Sequence, residues 1–214
     1  EVSWEKTYGG LGDDVAYGVI QTSDTGYVLT GQSTSTNITE VVNHGGTDGY
    51  VVKVSADGTL AWQDMLGGGG NDSLRTVVQT SDGGYVLAGD SSSALTGLTN
   101  QGLKDFYIVK LNITGAVEWQ RMYGTTADDT AWSICETQDE GFIIAGHTAT
   151  ATSTSAYVMK LDEQGQRVWE NTYATGTPLG AVFLYKESIV EITEAGVTTG
   201  YMLAGFQNGR PYVA

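Results

Sequence analysis

An all-β fold built from four copies of one four-stranded antiparallel unit is predicted by three observations. Tryptophans recur at Trp4, Trp62, Trp119 and Trp169, each opening a similar stretch: W-E-K-T-Y-G-G, W-Q-D-M-L-G-G, W-Q-R-M-Y-G-T and W-E-N-T-Y-A-T. The run G-Y-V-L-T-G at Gly26 returns at Gly84, Gly141 and Gly200 as G-Y-V-L-A-G, G-F-I-I-A-G and G-Y-M-L-A-G. A third element, Y-V-V-K at Tyr50, returns as Y-I-V-K at Tyr107 and Y-V-M-K at Tyr157, and as Y-V-A at Tyr212. Repeated four-stranded units of roughly 40–50 residues are the signature of propeller blades. The predicted architecture is therefore a four-repeat β-propeller of four-stranded antiparallel blades.

Each blade reads as strands A, B, C and D. In the first copy these lie around Val15–Thr22, Tyr27–Gly31, Tyr50–Val54 and Leu60–Leu66. Two connections keep their length: Trp to the next Gly is 22 residues in three copies and 31 in the fourth, and Tyr to the next Trp is always 12. The Gly-to-Tyr gap varies over 24, 23, 16 and 12, which marks a tolerant surface loop between B and C. The C–D turns end in Gly58, Gly115 and Gly165, where a type I turn with a bulge needs a left-handed residue. The A–B turns, Thr22–Gly26 and Thr80–Gly84, read the same way. Trp4, Lys6 and Tyr8 share one face of the opening strand and Glu5 and Thr7 the other.

The blades are offset along the chain. Residues 1–9 read as a closing strand D, 14–66 as unit 1, 73–123 as unit 2, 129–173 as unit 3, and 187–214 as a fourth unit without its own strand D. The N-terminal strand is then expected to complete the last blade, in cis or in a neighbouring chain, as propellers hide their edges. Unit 4 departs most from the pattern, with Ala174 to Lys186 in place of a short D–A turn.

Composition narrows the function classes. The 214 residues include 30 glycines, 12 tyrosines and 2 prolines, and the net charge is -15. So acidic a surface repels phosphate backbones, which argues against nucleic-acid binding and favours cations. A single cysteine, Cys135, excludes an internal disulfide; it falls in register with Ile20 and Val78 and reads as a core residue. No apolar run reaches membrane-spanning length.

The combination W-x-x-x-Y-G-G, then D-D, Q-T-S-D-G-G-Y-V-L-A-G, and D-x-Y-V-V-K with its following W resembles propeller-like repeats of bacterial and archaeal secreted and cell-surface proteins. The resemblance covers nearly the whole chain. It implies a prokaryotic extracellular or cell-surface location and a structural or binding role.

The D–A turns carry the densest polar signal. Asp13, Asp14, Asp72, Asp128 and Asp129 are candidate metal ligands if they gather on one face, and Ca²⁺ is the cation such oxygens suit. The competing reading is that they cap their turns by accepting backbone N–H bonds. Asn37, Asn71 and Asn112 head N-x-[ST] sequons and are candidate glycosylation sites. The B–C loops, Gln32–Asp48, Asp90–Asp105 and His147–Ser155, are polar enough to bind glycans and equally suited to be spacers. No nucleophile elbow, zincin motif or phosphate loop occurs, so no catalytic residue and no organic cofactor is expected.

The reading that follows is a non-enzymatic extracellular structural protein that self-associates through β-strand edges into a filament, a layer or a closed oligomer. A carbohydrate-binding or adhesion module using the B–C loop face is the first alternative. A hydrolase using Asp residues of the D–A turns is the second.

Overall fold

The computed structural model describes residues 3–173, 182–194, 196–207 and 210–213. Every regular element among them is a β-strand, and every named strand pair is antiparallel.

Four sheets follow one another along the chain. The first holds β1 (Asp14–Gln21), β2 (Tyr27–Ser33), β3 (Asp48–Val54) and β4 (Leu60–Leu66). The second holds β5 (Asp72–Gln79), β6 (Tyr85–Ser91), β7 (Asp105–Leu111) and β8 (Val117–Tyr123). The third holds β9 (Asp128–Glu136), β10 (Phe142–Ala149), β11 (Thr154–Leu161) and β12 (Arg167–Tyr173). The fourth has three strands, β13 (Val182–Glu194), β14 (Val197–Gln207) and β15 (Arg210–Val213). In each, strand order follows chain order, so each sheet is a meander. The first strands stand side by side from sheet to sheet, β1 against β5, β5 against β9 and β9 against β13.

The core lies between successive sheets. Val28 and Val51 of the first pack with Leu74, Leu87 and Val109 of the second. Val86 and Ile108 of the second pack with Ile144 and Met159 of the third. Ile143 and Val158 of the third meet Ile189 and Leu203 of the fourth. Both faces of the second and third sheets are therefore covered, which is why β6 and β7 read as nearly unbroken apolar runs.

The recurrent tryptophans join each sheet to the next. Trp62 of β4 packs edgewise on Tyr85 of β6 with ring centroids 5.9 Å apart. Trp119 of β8 meets Phe142 of β10 at 6.0 Å, and Trp169 of β12 meets Tyr201 of β14 at 5.8 Å. Trp4 makes the same contact with Tyr27 of β2, at 6.2 Å. Its indole N–H donates to the Ala56 carbonyl at 2.8 Å, and the Tyr8 hydroxyl donates to the Gly58 carbonyl at 2.5 Å. The Tyr123 hydroxyl does the equivalent at Gly165, 2.8 Å away. Trp4–Tyr8 thus occupies, on the first sheet, the place that an outermost strand of a preceding sheet occupies on the others. Those residues form no strand ladder among the described residues.

The turns depart from expectation in one respect. Gly58, Gly115 and Gly165 take positive φ (77°, 86° and 73°), as the C–D turns require. In the A–B turns the left-handed residue is Thr25, Gly83 or Glu140, with φ of 68°, 85° and 60°, one position before the conserved-looking glycine of the motif. Gly26, Gly84 and Gly141 serve close approach instead. A Cβ at Gly84 would lie 2.5 Å from both the Leu111 carbonyl oxygen and Lys110 Nζ. The expected insertion at 174–186 lies mostly outside the described residues.

Candidate functional site

Three sets of polar side chains recur from sheet to sheet. The first explains the lysine that closes each Y-V-V-K run. Lys53, Lys110 and Lys160 are buried, yet each Nζ reaches an aspartate of the A–B turn. The donor–acceptor distances are 2.8 Å to Asp24, 2.7 Å to Asp82 and 2.9 Å to Asp139. Each ammonium also donates to the carbonyl of the residue after it. Hydrogen bonds from Lys53 and Thr22 hold the Asp24 carboxyl at about 2. At Asp82 partial burial opposes ionisation, but bonds from Lys110, Thr80 and the Gly84 N–H prevail and the value is again about 2. These pairs fasten the A–B turn to strand C.

The second set lies on the β-bulges of the first strands. The register slips at Tyr17 in β1, Arg75 in β5 and Trp132 in β9, three equivalent positions. The Arg75 guanidinium sits 4.9 Å from the Tyr17 ring centroid and 4.4 Å from that of Trp132. It donates through Nε to buried Asp90 at 2.6 Å, and Lys104 approaches the same carboxylate at 3.3 Å. Trp132 stacks on His147 and donates to its Nδ1 at 3.0 Å. Burial, aided by the Arg75 charge, lowers the His147 pKa. His147 lies inside β10, not in a loop as its polar surroundings suggested. Single bulged residues of such different chemistry left no common letter in the repeat.

The third set contains the predicted acidic residues, and the structure divides them. Asp14, Asp72 and Asp129 occupy equivalent places and cap the D–A turns. Each accepts the N–H of the residue four before it, from Gly10 at 2.9 Å, Gly68 at 2.8 Å and Thr125 at 2.6 Å. Asp13 is exposed, and Asp128 joins a short bridge to Lys104. No group of three or more His, Cys, Asp or Glu side chains converges among the described residues.

Two aspartates outside the predicted set complete the picture. Asp48 opens β3 and Asp105 opens β7, and both are fully buried, as are Asp72 and Asp129. Asp48 faces Asp72 across the junction of the first two sheets. A Cβ at Gly67 would lie 2.6 Å from Asp48 Oδ1 and 2.4 Å from Asp72 Oδ2. Asp105 and Asp129 repeat this at the next junction, where a Cβ at Gly124 would lie 2.5 Å and 2.8 Å from their oxygens. Burial raises the pKa of Asp48 and of Asp105, and the facing carboxylate raises each further. The letter D before Y-V-V-K was visible in the sequence, but only the packing of one sheet on the next brings it to the D–A turn.

Beside the first junction runs a groove of about 610 Å³, lined by His44, Asp64, Gly67, Leu95, Tyr107 and Trp119. It combines B–C loop residues of two units with Asp64, Glu118 and Trp119 of the outer strands β4 and β8. Of the sequon asparagines, Asn37 and Asn71 are exposed. Asn112 is half-buried and its side-chain oxygen accepts the N–H groups of Thr114 and Ala116 in the C–D turn.

Fold and polar pattern together define an all-β repeat protein of successive meander sheets. No family model matches the chain. A 121-residue stretch is 33% identical to a protein described as regulatory protein FlaEY of Caulobacter vibrioides; the match spans 52% of this chain and 13% of that protein. The chain therefore corresponds to a small part of that relative's length. Among solved structures, a protein of unknown function from Bacteroides caccae aligns with a TM-score of 0.48 at 11% identity, over 80% of this chain and 56% of the other.

Proposed function

We propose that the four sheets are blades of a small β-propeller, and that the protein is a non-enzymatic extracellular structural subunit joined to its neighbours through β-strand edges. The observation that supports this is the placement of Trp4–Tyr8. These residues sit on the first sheet as outermost strands sit on the later ones, by the same indole–aromatic contact and tyrosine–carbonyl bond. A strand so placed satisfies its backbone by joining the edge of a three-stranded sheet such as β13–β14–β15. The sheet belongs either to the same chain, which closes a ring, or to another, which propagates a fibre.

The test is electron microscopy of the parent beside Lys6→Pro and Thr7→Pro. Proline removes a ladder donor, and the two positions together cover both orientations of the strand. Filaments or layers in the parent that shorten or vanish in one of the variants support assembly through this strand. Filaments unchanged in both variants count against it.

The groove between the first two units favours a second reading, as a carbohydrate-binding or adhesion module. Sugars are held by aromatic faces flanked by carboxylate and amide groups, and the half-buried Trp119 lines the groove with Asp64, Glu118 and Gln120. Glycan-array binding that disappears when Gln32–Asp48 is shortened would favour this reading over the first.

A further inference from the structure

We propose that the two inter-sheet carboxylate pairs, Asp48 with Asp72 and Asp105 with Asp129, are calcium sites that clamp one repeat onto the next. The geometry carries the assignment. All four side chains are wholly buried, and each pair converges on a glycine, Gly67 or Gly124, that leaves room for it. Three of their oxygens, Asp48 Oδ1, Asp72 Oδ1 and Asp105 Oδ1, accept no hydrogen bond among the described residues. The other oxygens of Asp48, Asp72 and Asp105 are engaged, by the His44 N–H, by the Gly68 N–H with Ser93 Oγ, and by the Gln101 N–H. Asp48, Asp72 and Asp105 are thus each fixed by one oxygen with the second bare, and the bare oxygens of Asp48 and Asp105 are the ones that lie at Gly67 and Gly124; the Asp129 oxygens both accept from Thr125.

Two facing, desolvated carboxylates repel, and a bare buried anionic oxygen is costly. A hard divalent cation removes both penalties. Calcium takes six to eight oxygens in flexible geometry, so two carboxylates leave places for main-chain carbonyls and water. Magnesium sheds its water reluctantly and demands an octahedron, which suits two buried, fixed carboxylates poorly. The net charge of -15 concentrates cations around the chain in general.

The repeat sets the stoichiometry. At Gly9, the counterpart of Gly67 and Gly124, the nearest groups to an added Cβ all belong to Asp14. In the third sheet Ser155 stands at the register position of Asp48 and Asp105: Asp14–Ser33–Asp48, Asp72–Ser91–Asp105 and Asp129–Thr148–Ser155 are equivalent rows. The described junctions therefore provide two sites.

The experiment is calorimetric titration of the EDTA-treated chain with CaCl2 at pH 7, with thermal unfolding in calcium and in EDTA. Two ions bind per chain, and Asp48→Asn or Asp105→Asn each loses one. Calcium at about a hundredfold above Kd raises Tm by about 5–10 °C per site. In EDTA the Asp48→Asn, Asp105→Asn double variant melts at or above the parent. Its amide oxygen keeps the turn N–H bond, while its NH2 donates to the facing aspartate. A parent Tm equal in calcium and EDTA, with no heat of binding, overturns the proposal in favour of a proton shared by each pair. Calcium uptake undiminished in the double variant overturns it equally, because the ions then bind elsewhere. Should the double variant fail to fold, the single variants and the parent stoichiometry still decide.

Discussion

At the scale of residues, the buried lysines dominate. Each ammonium is buried while its aspartate remains exposed, with 62%, 57% and 66% of the carboxylate side chains accessible. The two partners are therefore unequal in consequence. Removing the aspartate leaves a buried positive charge, whereas removing the charge leaves an aspartate that water can solvate. Asp24→Asn is expected to cost about 1–3 kcal/mol in urea unfolding, and Lys53→Met distinctly less, since the Met keeps the packing of the stem. The reverse order would contradict this account.

The same pairs set the acid behaviour. Asp24 and Asp82 are held at about 2, below the ordinary carboxylate range. A depressed carboxyl contributes stability that is present above its unfolded value, about 4, and is lost as pH falls through its folded one. The urea midpoint should therefore fall between pH about 4 and about 2, and the fall should be shallower in Asp82→Asn. Asp48 and Asp105 have raised values and the opposite slope. Their contribution is present below the ordinary range and is lost as pH rises through the folded value. In EDTA this shows as a decline in the urea midpoint above pH about 4 that Asp48→Asn reduces.

At the scale of elements, the turns give the clearest test of local conformation. Thr25 and Glu140 hold a left-handed backbone where the second unit has Gly83. A residue with a Cβ loses roughly 1 kcal/mol there. Thr25→Gly and Glu140→Gly should each stabilise by about that amount, read as a shift in urea midpoint with unchanged slope. Gly84→Ala should destabilise despite its ordinary φ, because its Cβ would meet Lys110 Nζ and the Leu111 carbonyl.

The turns also show what was legible in the sequence and what was not. The Trp, Gly and Tyr motifs located the strands because each serves the same contact in the first three units. A motif glycine, however, looks the same whether it supplies a left-handed φ or makes room for a neighbour, so Gly26 and Gly84 were assigned the wrong task. The D–A aspartates were visible as a cluster of letters, and turn capping accounts for Asp14, Asp72 and Asp129. The pairing of Asp48 with Asp72 and of Asp105 with Asp129 was not visible, because the partners come from different units and meet only when sheets stack. The bulge residues Tyr17, Arg75 and Trp132 share a position but no chemistry, and pattern reading had nothing to align.

At the scale of the whole molecule, successive sheets share their cores, so the stability of each repeat depends on its neighbours. In such an array each interface supports the next, and an outer strand is the natural point of growth or closure. On the proposed reading Trp4–Tyr8 is such a strand: Trp4 makes the contact made by Trp62, Trp119 and Trp169 and is 37% exposed. The most direct measurement is the native mass of the protein by light scattering across a concentration series, with electron microscopy of the same sample. Assembly through strand edges predicts a mass that grows with concentration in multiples of the 22.7 kDa chain, together with filaments or layers. A constant mass of one chain at every concentration, with no extended particles, would contradict it and mean a self-contained unit.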